Sequence, residues 1–193
     1  MSGELRNLVR EVRNAHPCLG PIIGRGGFCT VFGDRCNPAR VYKLTCDPAT
    51  VCLHFDPQRP RGRHFPKGVK YCDTFDFARS SYHLFLTERL KPVTSSQVSP
   101  LARWLVARYR DYCTTLRRED RRLRRQWRVG VRALHALMEE LPVHRDRSLA
   151  ASLSSLARFA ERFETPLAFE VRHLMRRDTT FVFNDIVVPR ELC

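Results

Sequence analysis

A glycine turn followed by a single lysine is the part of this sequence best suited to chemistry. Gly24 and Gly26 lie in GRGGFCTVF, and Lys43 lies in VYKL further along the chain. A glycine has no Cβ, so its backbone can approach phosphate oxygens closely, and a strand lysine supplies them with a positive charge. We predict a phosphate-binding loop in which Phe28 and Val31 close over a nucleotide. The alternative is an ordinary β-turn beside a surface lysine.

A second candidate is the run of arginines in LRREDRRLRRQWRVGVR, residues 116–132. Leu116, Leu123, Trp127 and Val131 keep helical spacing, so one face is expected to pack into a core while the arginines cover the others. Like charges at this density repel unless an acidic partner neutralises them. The run therefore predicts either a binding face, for nucleic-acid phosphates or an acidic protein surface, or a solvated helix face. The arginines are Arg117, Arg118, Arg121, Arg122, Arg124, Arg125, Arg128 and Arg132.

The 8 cysteines show no spacing typical of a metal site. There is no C-x-x-C pair and no Cys–His pair at zinc-finger spacing. Cys29 beside Phe28 and Cys52 beside Leu53 lie where a small apolar side chain would serve as well. We therefore expect free, buried thiols in a reducing compartment.

Charge and hydropathy limit the classes of partner. The formal net charge is +14, which favours acidic partners such as nucleic acid, nucleotides or acidic protein surfaces. No apolar run approaches the roughly 20 residues that cross a bilayer. The first residues, MSGELRNLVREVRNA, form a charged amphipathic pattern rather than an apolar signal sequence. We expect a cytoplasmic protein without a membrane partner.

The elements that must position these residues follow a simple order, with strands before helices. A helix is predicted over residues 1–17, and strands flank the glycine turn within residues 18–44. Residues 45–63 are predicted to be irregular, with at most a short helix. A hairpin is predicted from the strand ending at Phe75 and the strand SYHLFLTERL, which ends at Leu90.

The second half of the chain is predicted to be mainly helical. Residues 91–99 have the composition of a linker, and Ser99-Pro100 is a good helix start. From there one long helix, or two, extends to Glu140. A further helix and a final strand with its preceding turn complete an α+β chain. The helix is predicted over residues 148–163, the turn over residues 176–180 and the strand over residues 181–188.

Five segments occur in an order that is typical of one family. They are GRGGFCTVF, VYKL, HFPK, LTERL and TFVFNDIVV, at residues 24–32, 41–44, 64–67, 86–90 and 180–188. Through them the chain resembles the compact protein-kinase-like early proteins of short-tailed phages. The resemblance implies a small bilobal protein-kinase-like fold. Its five-stranded N-lobe would span residues 1–90, and its truncated, mainly helical C-lobe residues 91–193.

The resemblance also implies site residues and cofactors, which would be ATP and Mg²⁺. Lys43 would hold the phosphates and Asp185 the metal ion. Adenine would be recognised by backbone groups of Glu88 and Leu90, with Thr87 guarding the back of the pocket. An ordinary buried strand is the alternative at this hinge.

The chain departs from the family at the partner of its lysine. A kinase orients this lysine with a glutamate on the following helix. Residues 45–63 contain no glutamate. Asp47 and Asp56 are the only carboxylates there, and each precedes a proline, which disfavours a helical position.

The catalytic loop departs further. Aligning the family pattern with LAFEVRHLMRRDTTFVFNDIVV places Ala168 at the catalytic aspartate, Glu170 at the histidine and His173 at the metal-binding asparagine. Alanine cannot accept a proton, and imidazole is a poor ligand for Mg²⁺, which prefers oxygen. Glu170 is a makeshift base if the loop is remodelled. Asp178 in RRDTT resembles an HRD motif, but we expect it in a turn between strands.

The leading hypothesis is a phage pseudokinase of host takeover. It would retain ATP binding and act in the host cytoplasm by binding a host protein with an acidic surface. The first alternative is an active serine/threonine protein kinase, in which Lys43, Asp185 and Glu170 transfer the γ-phosphoryl group of ATP. The second is a basic inhibitor or nucleic-acid-binding module on a vestigial kinase scaffold.

Overall fold

The protein has two compact units. The computed structural model describes residues 3–26, 28–93, 97–119 and 125–184. The first unit contains the described residues up to Val51 together with Lys67–Arg89. The second contains Cys52–Pro66 and the described residues from Leu90 onward.

The first unit is built on a five-stranded antiparallel sheet with the strand order β1-β2-β3-β5-β4. Together with the helices of both units, this sheet confirms the α+β class. Helix α2 begins in the first unit and ends in the second. The elements are α1 (Gly3–Ala15), β1 (Leu19–Arg25), β2 (Cys29–Asp34), β3 (Arg40–Thr45), α2 (Pro48–Phe55), β4 (Lys70–Phe77) and β5 (Ser80–Glu88).

Helix α1 covers one face of the sheet. Leu8 and Val12 are four residues apart, and Val9 lies beside them, so all three form one apolar stripe. The stripe packs on side chains from each of the first three strands and the β4–β5 hairpin, and all are buried. These sheet residues are Leu19, Phe32, Leu44, Phe75 and Leu84.

The hairpin that joins β4 to β5 turns through a two-residue loop. Ala78 and Arg79 have φ angles of 49° and 68°. Positive φ at both central residues is typical of a type I′ turn, whose twist matches the twist of the strands. The turn type fixes the pairing of Phe77 with Ser80.

In the described part of the second unit, helices α3 to α6 and the end of α2 accompany a three-stranded sheet in the order β6-β7-β8. Val171–His173 forms a 3₁₀ turn before β7. The other elements are β6 (Lys91–Pro92), α3 (Pro100–Glu119), α4 (Gln126–Met138), α5 (Leu141–Arg145), α6 (Arg147–Arg162), β7 (Leu174–Arg177) and β8 (Thr180–Phe183).

Side-chain caps fix two helix starts in this unit. Ser99 Oγ accepts a hydrogen bond from the Ala102 amide at 3.1 Å, as the sequence predicted for the start of α3. Asp146 Oδ1 accepts from the amides of Ser148 and Leu149, each at 3.0 Å, and so begins α6. The predicted helical stretch up to Glu140 contains two helices, α3 and α4, and the short helix α5 was not predicted from the sequence.

Most of the HFPK segment, residues 64–66, lies in the second unit, whereas Lys67 belongs to the first unit, in which β4 follows. His64 accepts a backbone hydrogen bond from Phe183 at 2.8 Å through its carbonyl oxygen. Its ring stacks on Phe181 with centroids 4.6 Å apart. Arg177 donates to the carbonyl oxygens of Arg63 and Phe65 at 2.7 and 2.9 Å. The segment therefore extends the edge of the β7–β8 hairpin.

The expectation of free thiols is wrong for Cys18 and Cys36, which form a disulfide with Cα atoms 5.8 Å apart. Cys18 precedes β1 and Cys36 follows β2. Leu19 pairs with Asp34 across these strands, so the register brings the two cysteines together. Five other cysteines in the described part of the chain are half-buried and lie outside disulfides.

Candidate functional site

Lys43 lies in a row of directly opposed residues that crosses the first sheet. Gly24 opposes Val31, Val31 opposes Lys43, and Lys43 opposes Phe85. Opposed residues of antiparallel strands place their side chains on the same face. The register thus groups three residues predicted from the sequence, together with Phe85, which was not predicted.

This row lies on the face of the sheet opposite α1. Phe32 and Leu44, which belong to the α1 core, are the immediate neighbours of Val31 and Lys43. Because side chains alternate between faces, Val31 and Lys43 point away from α1. A register shift in β1 between Ile22 and Gly24 brings Gly24 into this row.

Lys43 is deeply buried, with 3 % of its surface exposed. Its Nζ lies 5.8 Å from the centroid of the Phe85 ring, a cation–π distance. Desolvation makes an ammonium group seek electronegative partners. Lys43 thus places a buried cationic side chain on the same face of the sheet as Val31 and Phe85.

The glycine turn is a tight hairpin loop between β1 and β2. The Gly26 amide donates to the Cys29 carbonyl oxygen at 2.8 Å and closes the loop. Thr45 Oγ1 donates to the Phe28 carbonyl oxygen at 2.8 Å, which ties the loop to β3. Phe28 is 41 % exposed. Hydrogen bonds therefore hold the backbone at Gly26 and Phe28, and the aromatic side chain of Phe28 is partly exposed.

Neither Gly24 nor Gly26 is required by the geometry of the turn. A Cβ on Gly24 would lie 3.8 Å from the Val31 side chain, and a Cβ on Gly26 would lie 4.0 Å from the Cys29 carbonyl oxygen, both ordinary contacts. Neither glycine has a positive φ. Because neither residue has a side chain, another group has space to approach the backbone at these two positions.

Helix α2 does not supply a carboxylate for Lys43, because its sequence PATVCLHF contains none. Asp47 precedes the helix and is buried. Its carboxylate accepts hydrogen bonds from the Ala49 and Thr50 amides at 3.0 and 3.1 Å and from the Thr50 hydroxyl. Asp47 thus acts as the helix cap.

Of the three residues expected at the hinge, Thr87 and Glu88 are the last two residues of β5. Thr87 is buried, and its hydroxyl donates to the Lys67 carbonyl oxygen at 3.5 Å. The Glu88 amide donates to the same oxygen at 3.3 Å, and Glu88 Oε1 accepts from the Lys67 amide at 2.7 Å. The Glu88 amide is thus engaged within the first unit. Leu90 is half-buried and belongs to the second unit.

The residues aligned with the catalytic loop lie in the second unit. Ala168 is half-buried and Glu170 is exposed. His173 Nδ1 lies 2.7 Å from the Ala168 carbonyl oxygen, so the imidazole is used to hold the loop. Asp178 has a φ of 52° and lies in the β7–β8 turn, as predicted. Asp185 lies outside the described residues.

The described arginines of the predicted run lie in the last turn of α3, just before α4 and on α4. Arg117 and Arg118 are exposed in the last turn of α3. Arg125 forms a salt bridge of 3.1 Å with Glu164, and Arg128 stacks over the Trp127 ring. Arg132 is exposed on α4. Arg121, Arg122 and Arg124 lie outside the described residues.

Two features of the structure are not predicted from the sequence. The first is the disulfide cysteines with the neighbouring carboxylate of Asp34, whose ligand atoms lie within 4.8 Å of one another. Their one sequence signal is that Cys18 and Cys36 flank consecutive strands. The second is a cavity of about 200 Å³ in the second unit. Burial raises the pKa of the Cys113 thiol, which lines this cavity.

No protein-family model and no curated protein matches this chain. Among the helices in the described ranges, none is both long enough and apolar enough to cross a membrane.

Proposed function

We propose that the protein is a kinase-like nucleotide-binding protein that acts by binding a partner rather than by transferring phosphate. The row Gly24–Val31–Lys43–Phe85 carries this proposal. A buried lysine lies on the third strand of a five-stranded sheet whose first two strands are joined by the glycine turn. This is the arrangement implied by the resemblance to the phage kinase-like proteins.

Lys43 and the glycines suit a triphosphate for complementary reasons. Lys43 supplies the positive charge, and the low surface at Gly24 and Gly26 lets phosphate oxygens reach the backbone. Val31 and Phe28 offer apolar surface to a base. Each of these roles belongs to the first unit alone.

The residues at the other positions that a kinase needs for catalysis argue against phosphoryl transfer. Helix α2 has no carboxylate to orient Lys43, and Asp47 is used as a cap. Ala168 offers no base, and His173 offers ring nitrogens where Mg²⁺ prefers oxygen ligands. Within the described residues, the oxygen ligands expected for Mg²⁺ are missing at the aligned loop positions. We infer a pseudokinase.

A second function has its own supporting observation, the group of exposed arginines on α3 and α4. Arg117, Arg118, Arg128 and Arg132 are exposed on these two helices of one unit. Guanidinium groups bind carboxylates and phosphates in bidentate fashion. A partner with an acidic surface, a host protein if the chain is viral, would bind here. Nucleic acid is the alternative occupant.

Nucleotide binding is tested by titrating the protein with a fluorescent ATP analogue and following anisotropy. Lys43→Met keeps the length of the side chain and removes its charge, so we expect the dissociation constant to rise at least about tenfold, as for loss of a charge-assisted hydrogen bond. Gly33→Ala is the matched control, because its new Cβ meets only ordinary contacts at 3.8 Å or more and lies outside the loop. Equal affinity of wild type and Lys43→Met would refute the site.

Phosphoryl transfer is measured separately with ATP labelled at the γ-phosphate, using bacterial lysate as substrate and Asp185→Ala as control. A pseudokinase transfers no label above the level of that variant. Transfer that disappears in Asp185→Ala would instead establish the active kinase and exclude Ala168 as the counterpart of the base.

A further inference from the structure

Cys18, Asp34 and Cys36 converge at the edge of the first sheet where β1 begins and β2 ends. The Sγ atoms of the two cysteines and a carboxylate oxygen of Asp34 all lie within 4.8 Å of one another. Two thiolates and a carboxylate form a ligand set that Zn²⁺ uses in proteins. We propose that the reduced protein binds a divalent ion of the zinc class at these three residues, and that disulfide formation releases it.

The backbone holds the three ligands in place before any ion binds. Asp34 pairs with Leu19, the residue after Cys18. The Arg35 amide donates to the Cys18 carbonyl oxygen at 2.9 Å, which fixes the two strand ends together. The Cys36 amide donates to Asp34 Oδ1 at 2.8 Å, which orients the carboxylate. Hydrogen bonds of this kind to metal-binding residues typically strengthen a site.

The spacing suits both oxidation states. Cα atoms 5.8 Å apart lie within the usual range for a disulfide. In a tetrahedral zinc site with Zn–S bonds of about 2.3 Å, the two sulfur atoms would lie roughly 3.8 Å apart. The side chains can reach that separation by rotation about their Cα–Cβ bonds while the paired strands stay in register.

Exposure and charge favour the ion as well. Cys36 is exposed and the other two ligands are half-buried, so a reductant and a metal ion can both reach the site. The ligand set carries three negative charges when both thiols are ionised. One divalent ion would neutralise two of them, and the third is readily tolerated in a chain of formal net charge +14.

The switch between states is a two-electron exchange. A small-molecule disulfide of the glutathione class accepts two electrons from the two thiolates and takes up two protons, giving two small thiols. The Sγ atoms of Cys18 and Cys36 form their bond, and the divalent ion leaves. The reverse reaction restores the ligand set.

The test measures Zn²⁺ binding to the full chain, reduced and then freed of reductant without air, by competition with a chromophoric chelator. We expect one Zn²⁺ per chain, with loss of that ion in Cys18→Ser and in Cys36→Ser. Asp34→Asn should weaken binding at least about tenfold. Cys72→Ser, a half-buried cysteine on β4, is the matched control and should bind like the wild type.

Two further readouts separate this site from the other thiols. Oxidised protein should not bind the ion, and Zn²⁺ should raise the melting temperature of reduced wild type but not of reduced Cys36→Ser. Stoichiometric binding that survives both serine substitutions would overturn the proposal. So would the absence of binding in protein whose thiols are shown by titration to be reduced.

Discussion

Single side chains determine how tightly the second unit is packed, and Tyr109 is the clearest example. Its hydroxyl donates to the Leu167 carbonyl oxygen at 3.4 Å, and its ring lies 4.9 Å from that of Phe169. Burial raises the pKa of Tyr109 well above the usual value. The hydroxyl fits because residue 130 on α4 is a glycine. A Cβ at this position would lie only 2.8 Å from the Tyr109 hydroxyl oxygen.

The effect of Gly130→Ala on the unfolding free energy should therefore differ in sign between the wild type and a Tyr109→Phe variant. In the wild type the clash with Tyr109 should exceed the gain in helix propensity of about 1 kcal/mol, for a net loss of roughly 1 kcal/mol in unfolding free energy. In a Tyr109→Phe background the clash is absent, so Gly130→Ala should stabilise the protein. Urea unfolding of the four proteins measures both effects, and a loss of equal size in both backgrounds would contradict this account.

His64 gives the second unit a pH-dependent stability. Its ring is buried, and Nδ1 lies 2.9 Å from the Phe181 carbonyl oxygen, so Nδ1 carries the proton in the neutral ring. Its Nε2 finds no hydrogen-bond partner among the described residues. Burial lowers the pKa of His64 below its usual value, although the Phe181 carbonyl and Asp146 oppose the shift.

Because the folded protein binds this proton less readily than the unfolded chain, the stabilisation is complete above a pH of about 6.5. It is lost as the pH falls from there toward the lowered pKa of the folded state. His64→Phe should flatten this dependence in unfolding free energies measured from pH 7.5 to pH 5. His135→Asn, a change at an exposed histidine, should leave it intact. An unchanged slope in His64→Phe would assign the dependence to another group.

At the scale of elements, the β4–β5 hairpin carries local strain at its turn. Ala78 and Arg79 occupy left-handed backbone conformations, each of which costs an ordinary residue roughly 1–2 kcal/mol. Asn-Gly is the preferred pair for this turn. The sheet interactions on both sides thus hold a turn that its own residues disfavour.

Replacing the pair by Ala78→Asn with Arg79→Gly should raise the unfolding free energy by about 1 kcal/mol, because the turn becomes locally favourable. The same change leaves the pairing of Phe77 with Ser80 in place. Thermal unfolding detects the gain. Ala78→Val with Arg79→Val is the opposite control and should destabilise, and a gain from that pair would mean that the turn is not of this type.

At the scale of the whole molecule, the formal net charge of +14 sets how it meets other molecules. The exposed arginines of α3 and α4 concentrate part of that charge on one unit. Opposite charge speeds encounter and raises affinity, and both effects weaken with salt. The acidic-partner hypothesis thus makes a prediction that does not involve Lys43.

An acidic peptide should bind the protein with an affinity that falls steeply between 50 and 200 mM salt. Changing Arg117, Arg118 and Arg128 to Ala should reduce both the affinity and its salt dependence, since fewer charges are neutralised on binding. Arg40→Ala, which removes an exposed arginine from the first unit, is the matched control. Tighter binding of duplex DNA than of the peptide would favour the nucleic-acid alternative.

The sequence by itself determined the elements that depend on local signals. The i, i+4 apolar spacing of α1, the Ser99 cap of α3 and the alternating pattern of the strands follow from periodicity and capping, which act between near neighbours. These signals also marked Lys43 and Gly24 as a candidate site. They did not reveal Phe85, because its relation to Lys43 depends on the pairing of β3 with β5.

Only the tertiary structure decided the long-range contacts. It brought Cys18 to Cys36 through the register of β1 and β2, engaged the HFPK segment with β8, and placed Gly130 against Tyr109. Each of these depends on which strands pair or which helices pack, and that choice is made by burial of apolar surface over the whole unit. Spacing along the chain does not encode it, because residues far apart in sequence become neighbours only once the core has formed.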